Sequence, residues 1–340
     1  MNNLRKNIPG IALCLAIAIP AWLLGNRFPL LGGPVLGILA GMLFAAVFPP
    51  LLSPNRGTLG MQYTSKNILQ YSVILLGFDM ELLRILEVGR QALFVMLFTL
   101  SASFLTAYAV EKFLKIPGKS ATLIGVGTSI CGGSAIAAVA PVIDAKEEDV
   151  AHAISTIFLF NIAAVFLFPA LGHLLGVSDT GFGMWAGTAI NDTSSVVAAG
   201  ASWSSAAGNN TALAFATIVK LTRTLLIVPI AVVLAIYTSR KENRDKKKGT
   251  FRFAKVFPWF VLGFLLAAVA NTFLPIPQTV SHFLVGAGKF MIVMAMTAIG
   301  LRTSLKKLLT QGLRPVLLGL SCWFAVSTVS LLVQSLSALW

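Results

Sequence analysis

Two stretches of this chain gather hydroxyls, glycines, an amide and a carboxylate among residues that are otherwise apolar. The first, Gly125 to Val142, reads GVGTSICGGSAIAAVAPV, and the second, Gly187 to Gly200, reads GTAINDTSSVVAAG. In the first, Thr128, Ser129, Cys131 and Ser134 surround Gly132 and Gly133; in the second, Asn191, Thr193, Ser194 and Ser195 surround Asp192. A helix that unwinds at such a point leaves backbone N–H groups unpaired, which is very costly in hydrocarbon. The break survives only against protein or beside a water-filled cavity, where a solute supplies the missing partner. Hydroxyls and N–H groups then form a hydrogen-bonding cage, and a half-helix N-terminus adds a partial positive charge that favours an anion. Close helix packing is the plainer explanation of a Gly/Ala/Ser run. The contiguous TSICGGS run, followed by Pro141, favours a broken, site-lining helix.

Asp192 is the one acid well inside an apolar segment, where a carboxylate costs roughly 2.5–3.5 kcal/mol on insertion scales. That cost marks it as an ion-coupling residue, either a proton carrier or a cation ligand. The alternative is a buried carboxylate that caps the broken segment or pairs with Arg223 or Lys289. Lys220 and Arg223 stand three apart, on one helical face, as charge-pairing candidates. Lys289 follows Gly286 and Gly288 and is read as a contact for substrate charge, with a structural ion pair as its alternative. His152, His173 and His282 show no metal-ligand spacing, and Cys14, Cys131 and Cys322 form no CxxC pair. No metal, cofactor or disulfide framework is expected.

Membrane helices must position these residues. Of 340 residues, 56% are hydrophobic and only 11% charged, against about 25% charged in a soluble domain. The apolar residues fall in blocks of about 20, the length of a helix that crosses a bilayer. Eleven spans are predicted, near 8–25, 30–52, 66–83, 90–113, 120–143, 150–175, 181–203, 210–238, 256–274, 280–300 and 313–338. The first is read as a retained helix rather than a signal peptide. The amphipathic stretch from Asp79 to Arg90 could lie along the interface.

A formal net charge of +14 would suggest nucleic acid in a soluble protein; here it reflects basic loops held on the cytoplasmic side. With the N-terminus inside, most Lys and Arg fall in inside loops, including the run from Arg240 to Lys255, while Arg27, Arg84, Arg90 and Lys146 fall outside. The C-terminus is then periplasmic. No aromatic or Gly-rich RNA-binding pattern accompanies the basic run.

An odd span count suggests one extra helix, residues 1–28, followed by two inverted five-helix repeats over 29–178 and 179–340, with a basic cytoplasmic loop at 239–255. Gly125 and Gly127 in span five then match Gly286 and Gly288 in span ten. The two polar motifs also echo each other sixty residues apart, through Gly127 and Gly187, Thr128 and Thr188, and Ser134 and Ser194. Running in the same direction in this topology, they read as two similar elements lining one site.

Residues 127–143 and 187–200, with GKFMIVMAMTAIGL at 288–301, strongly resemble the YeiH-type sulfate exporter family over nearly the whole chain. The resemblance implies a bacterial inner-membrane transporter of sulfate or a related sulfur oxyanion, with inverted repeats and crossing broken helices. The expected mechanism is secondary transport by alternating access, with proton or sodium coupling. A cation/proton antiporter using Asp192 is the alternative. No GxxxxGK[ST] motif encodes ATP drive, and neither a catalytic His nor a paired carboxylate lies at depth, so an enzyme is not expected. Expected partners are a small anion, the lipid bilayer and a second copy of the chain, and no nucleic acid.

Overall fold

The computed structural model describes residues 2–28, 32–48, 58–226, 229–230, 233–234, 259–303 and 312–337. The basic loop at 239–255 lies outside them. Helix is the only regular structure among the described residues. In chain order the helices are α1 (Asn2–Arg27), α2 (Gly32–Val47), α3 (Thr58–Tyr63), α4 (Leu69–Leu76), α5 (Leu82–Leu114), α6 (Gly118–Ser129), α7 (Gly133–Val139), α8 (Glu147–Leu175), α9 (Asp179–Ala189), α10 (Thr193–Ala207), α11 (Thr211–Leu225), α12 (Trp259–Phe273), α13 (Gln278–Arg302) and α14 (Leu313–Leu336). A π-helical turn, Thr64–Ile68, joins α3 to α4.

Five segments are long and apolar enough to cross a membrane: Asn7–Arg27, Leu82–Leu114, Glu148–Leu175, Gln278–Arg302 and Leu313–Leu336. Their outward faces carry large apolar side chains such as Leu83, Leu97, Leu105 and Phe324, as contact with lipid tails rather than water requires. Arg84 and Arg90 lie on the first turns of α5, so the amphipathic stretch that starts at Asp79 runs into that long helix rather than forming one of its own.

Packing sorts the helices into two groups. In one, α13 lies along α2 and α4, with α1 at its side and α12 packed against α4. In the other, α5, α8, α11 and α14 surround α6, α7, α9 and α10. Contact between the groups runs chiefly through α10, which touches α2 and α13.

The two polar motifs are not through-going helices. At the N-terminal end of α6, Lys119 Nζ donates to the Asp144 carbonyl at 2.6 Å, and Ser120 donates to the Asp149 carboxylate beside the start of α8. An uninterrupted helix would set residues 119 and 144 more than about 35 Å apart at 1.5 Å per residue. Near the turn, a Cβ added to Gly127 would sit 2.9 Å from the Ile136 side chain. Hence α7 folds back along α6. The second motif does the same: Trp203 Nε1, late in α10, donates to Asp179 Oδ1 at 2.6 Å, where α9 begins.

Expected broken helices across 120–143 and 181–203 are therefore re-entrant hairpins. Hydropathy misreads them because a doubled-back segment of this length holds as many apolar residues as a span. One hairpin starts from the end of α8 near Glu147 and the other from the end near Leu175, so they approach each other from opposite ends of that helix. Meanwhile α13, which the repeat register pairs with the first hairpin, is unbroken from Gln278 to Arg302.

This geometry sets one expected result. Lys119→Cys and Lys146→Cys, each in a cysteine-free background, should react with a membrane-impermeant maleimide from the same side of sealed vesicles. Labelling of the two from opposite faces would contradict the hairpin.

Candidate functional site at the hairpin tips

Both hairpins turn at the same depth. The first ends at Ile130, Cys131 and Gly132, the second at Ile190, Asn191 and Asp192. Gly132 adopts φ 65° and ψ −127°, a conformation open essentially to glycine alone. A Cβ there would lie 3.6 Å from the Asp192 Cβ and 3.7 Å from Asn161 Nδ2, so the tips touch. Asn161 is the central residue of α8, and its Oδ1 accepts from the Asp192 N–H at 3.1 Å.

Each half-helix that runs into a tip ends in unpaired carbonyls carrying partial negative charge. Two cations from α11 meet them. Lys220 Nζ donates to the carbonyls of Ile130 at 2.9 Å, Ile190 at 3.0 Å and Asn191. Arg223 Nε donates to Ser129 O at 2.7 Å, Nη1 to Thr188 O at 2.5 Å and Ile190 O at 3.3 Å, and Nη2 to Thr128 O. Both side chains are sealed from solvent, Lys220 at 0% and Arg223 at 1% exposure. The α11 helix reaches the second hairpin because Gly183 and Gly187, one turn apart on α9, let Phe215, Ala216 and Val219 approach closely. Here small residues do serve packing.

Asp192 is the N-cap of α10. Its carboxylate accepts from the Ser194 N–H at 3.0 Å and from the Ser194 hydroxyl, offsetting the positive end of that helix. It is partly exposed and forms no ion pair with Arg223 or Lys289. Thr128, Ser129, Cys131, Gly132, Asn191, Ser194 and Ser195 are buried, Gly133 and Thr193 partly exposed, and Ser134 exposed. A Cβ on Gly133 would meet nothing within 4 Å. Thr128 Oγ1 and Asn191 Oδ1 are buried without a hydrogen-bond partner among the described residues, each an uncompensated cost of about 1–3 kcal/mol.

The whole arrangement is a polar junction at mid-depth, open beside Gly133, Ser134, Asp192 and Thr193. Its two fixed cations outweigh its one acid, and all but one of their N–H donors are directed at carbonyls. A bound solute would meet hydroxyls and backbone groups in a positive field, rather than a bare cation.

A family model described as conserved hypothetical protein 698 matches residues 9–319. A UPF0324 membrane protein of Streptococcus pyogenes serotype M6 is 49% identical over 342 residues, covering 100% of this chain and 99% of its own. The chain belongs to the YeiH-type UPF0324 membrane protein family. UPF0324 relatives from Streptococcus agalactiae serotype V and Fusobacterium nucleatum are each 46% identical, with 99% of both chains covered. No solved structure matches the chain.

Not every candidate of this UPF0324 chain joins the junction. Lys289, on α13 in the other helix group, donates to Asn210 Oδ1, whose Nδ2 donates to Asp79 Oδ2 at 2.9 Å. Asp79, Asn210 and Thr217 also line a narrow crevice between the groups, walled by Phe264 and Val285. Thr217 lies one helical turn before Lys220, so the crevice sits on the Asn210 side of the two cations.

Asn161 is the residue that sequence reasoning missed. An amide in the apolar run FLFNIAAVF was a readable signal, since an unpartnered amide in hydrocarbon is costly.

Proposed function

We propose that this protein is a secondary transporter of a small oxyanion, with sulfate or a related sulfur oxyanion as its substrate, working by alternating access in the bacterial cytoplasmic membrane. The observation that carries the reading is the meeting of two opposed hairpin tips at mid-depth, with hydroxyls and open backbone beside two buried cations. Polar backbone survives at that depth only where it is buried in protein or lines a cavity. A helix group that holds the tips and a second group touching it mainly through α10 are the two bodies that rocking requires. Exchange of the Asp79–Asn210–Lys289 contacts for water would open the path from the outer side.

The topology we infer follows from the two hairpins. Described helix lies within every stretch read as a span, but two of these are hairpins, which leaves nine crossings. The termini keep the assigned sides, N-terminus inside and C-terminus outside, because each hairpin removes one crossing. Lys146, an outside exception in the eleven-span reading, joins the inside charges, as the positive-inside rule favours.

Proton coupling through Asp192 completes the reading, as the partly exposed carboxylate at the open edge of the junction. That carboxylate also favours a second reading, a cation/proton antiporter; two neighbouring fixed cations weigh against a cation as cargo.

Proteoliposomes should accumulate radiolabelled sulfate in a pH-gradient-dependent way, with sulfite, thiosulfate and taurine as competitors. Gly133→Ala, which meets no steric obstacle but narrows the open space, should slow uptake while leaving the melting temperature unchanged. Proton-coupled sodium flux with no anion uptake would establish the antiporter instead.

A further inference from the structure

Lys220 makes an unusual set of contacts for a buried cation. Its three N–H donors meet three carbonyl oxygens, Ile130 from one hairpin and Ile190 and Asn191 from the other. No carboxylate lies within ion-pair distance: among the described residues the one salt bridge joins His152 and Glu148. Asp192, the nearest acid in sequence to these acceptors, is turned to Ser194. Carbonyl dipoles at two half-helix ends meet the ammonium directly, with the Asp192 carboxylate near but outside ion-pair distance. Rings of carbonyl oxygens replacing a hydration shell are how proteins hold a bare alkali ion, and ammonium and potassium ions are of nearly equal size.

Two more oxygens stand ready on the same tips. Asn191 Oδ1 and Thr128 Oγ1 are buried and unpartnered among the described residues, although each belongs to a residue whose carbonyl is taken by an α11 cation. A small hydrated cation could use such oxygens, whereas Lys220 has no donor left for them.

We propose that Lys220 is a tethered substitute for a monovalent metal ion. The protein then needs no free sodium or potassium to join its hairpins, and removal of the ammonium group uncovers a monovalent-cation site lined by Ile130, Ile190 and Asn191 carbonyls. For transport, which rests on the reading above, this leaves the proton as the coupling ion and makes flux independent of alkali cations.

The test compares wild type with Lys220→Ala in detergent by thermal unfolding. Sodium, potassium, ammonium and N-methyl-D-glucamine chlorides are titrated at constant ionic strength. Wild type should show no saturable shift with any of them. The variant should melt well below wild type and regain a large part of the loss, saturably, with ammonium or potassium and not with N-methyl-D-glucamine. Saturable stabilisation of wild type by sodium or potassium, or sodium-dependent flux, would overturn the proposal. So would a folded variant that responds alike to ammonium and N-methyl-D-glucamine. If Lys220→Ala yields no folded protein, the wild-type titration decides by itself, a flat response supporting and a saturable one refuting. Failure of anion uptake with ammonium rescue intact would remove the transport reading and leave the cation site standing.

Discussion

Replacing Arg223 with methionine is expected to destabilise the centre of the protein more than any single change outside α11. The methionine fills much of the same volume but donates nothing. Carbonyls of Thr128, Ser129 and Thr188 lose their charged partner, whereas that of Ile190 keeps Lys220. At about 1–3 kcal/mol for each buried acceptor left unpaired, the loss is roughly 3–9 kcal/mol. Domains are commonly stable by only about 5–15 kcal/mol, so most of the folded population is at stake. Arg223→Lys keeps the charge but not the planar fork that spans both hairpins, and should recover only part of the loss. Thermal unfolding followed by size-exclusion chromatography in detergent measures both variants. An Arg223→Met protein as stable as wild type would mean that the half-helix ends are satisfied without α11.

The second large effect is expected in activity and not in folding. In Asp192→Asn the amide oxygen can still accept from the Ser194 N–H, so the N-cap survives and the melting temperature should change little. What disappears is a charge at mid-depth. The roughly 2.5–3.5 kcal/mol that such a charge costs sets the scale of what it must contribute in return, which corresponds to about a hundredfold in rate. Uptake should therefore collapse, or lose its response to pH, in a protein that remains folded. Asp192→Ala should in addition lose about 1 kcal/mol of stability with the cap. Undiminished, pH-sensitive uptake in the Asn variant would reduce Asp192 to its capping role.

Much of this arrangement is legible in the chain because hydrocarbon tolerates so few exceptions. TSICGGS and INDTSS stand out against apolar neighbours, and both mark the tips. Lys220 and Arg223 announce themselves as cations at depth, although their partners do not: an acid was the natural guess, and backbone carbonyls from two other elements answer instead. Those partners depend on the fold-back of each hairpin, which apolar length conceals. The fold-back did leave traces. Lys119, Asp144 and Asp149 place charges at both ends of the first motif, as suits a segment whose ends share one membrane face, and Lys146 was an exception to the charge asymmetry. Lys289 was misleading in another way: adjacency to Gly286 and Gly288 suggested the site, while the helix that carries it is regular and belongs to the other group.

One consequence of the α11 pin concerns the order of synthesis. The first hairpin leaves the ribosome well before Lys220 and Arg223 exist, and its carbonyl end has no charged donor until they arrive. On the proposed topology, its carbonyl end must wait, sheltered by protein or water, until the second hairpin and α11 follow and the α11 side chains reach across to it. The centre of this protein is thus assembled in one late step, by a helix that arrives after both of the elements it joins.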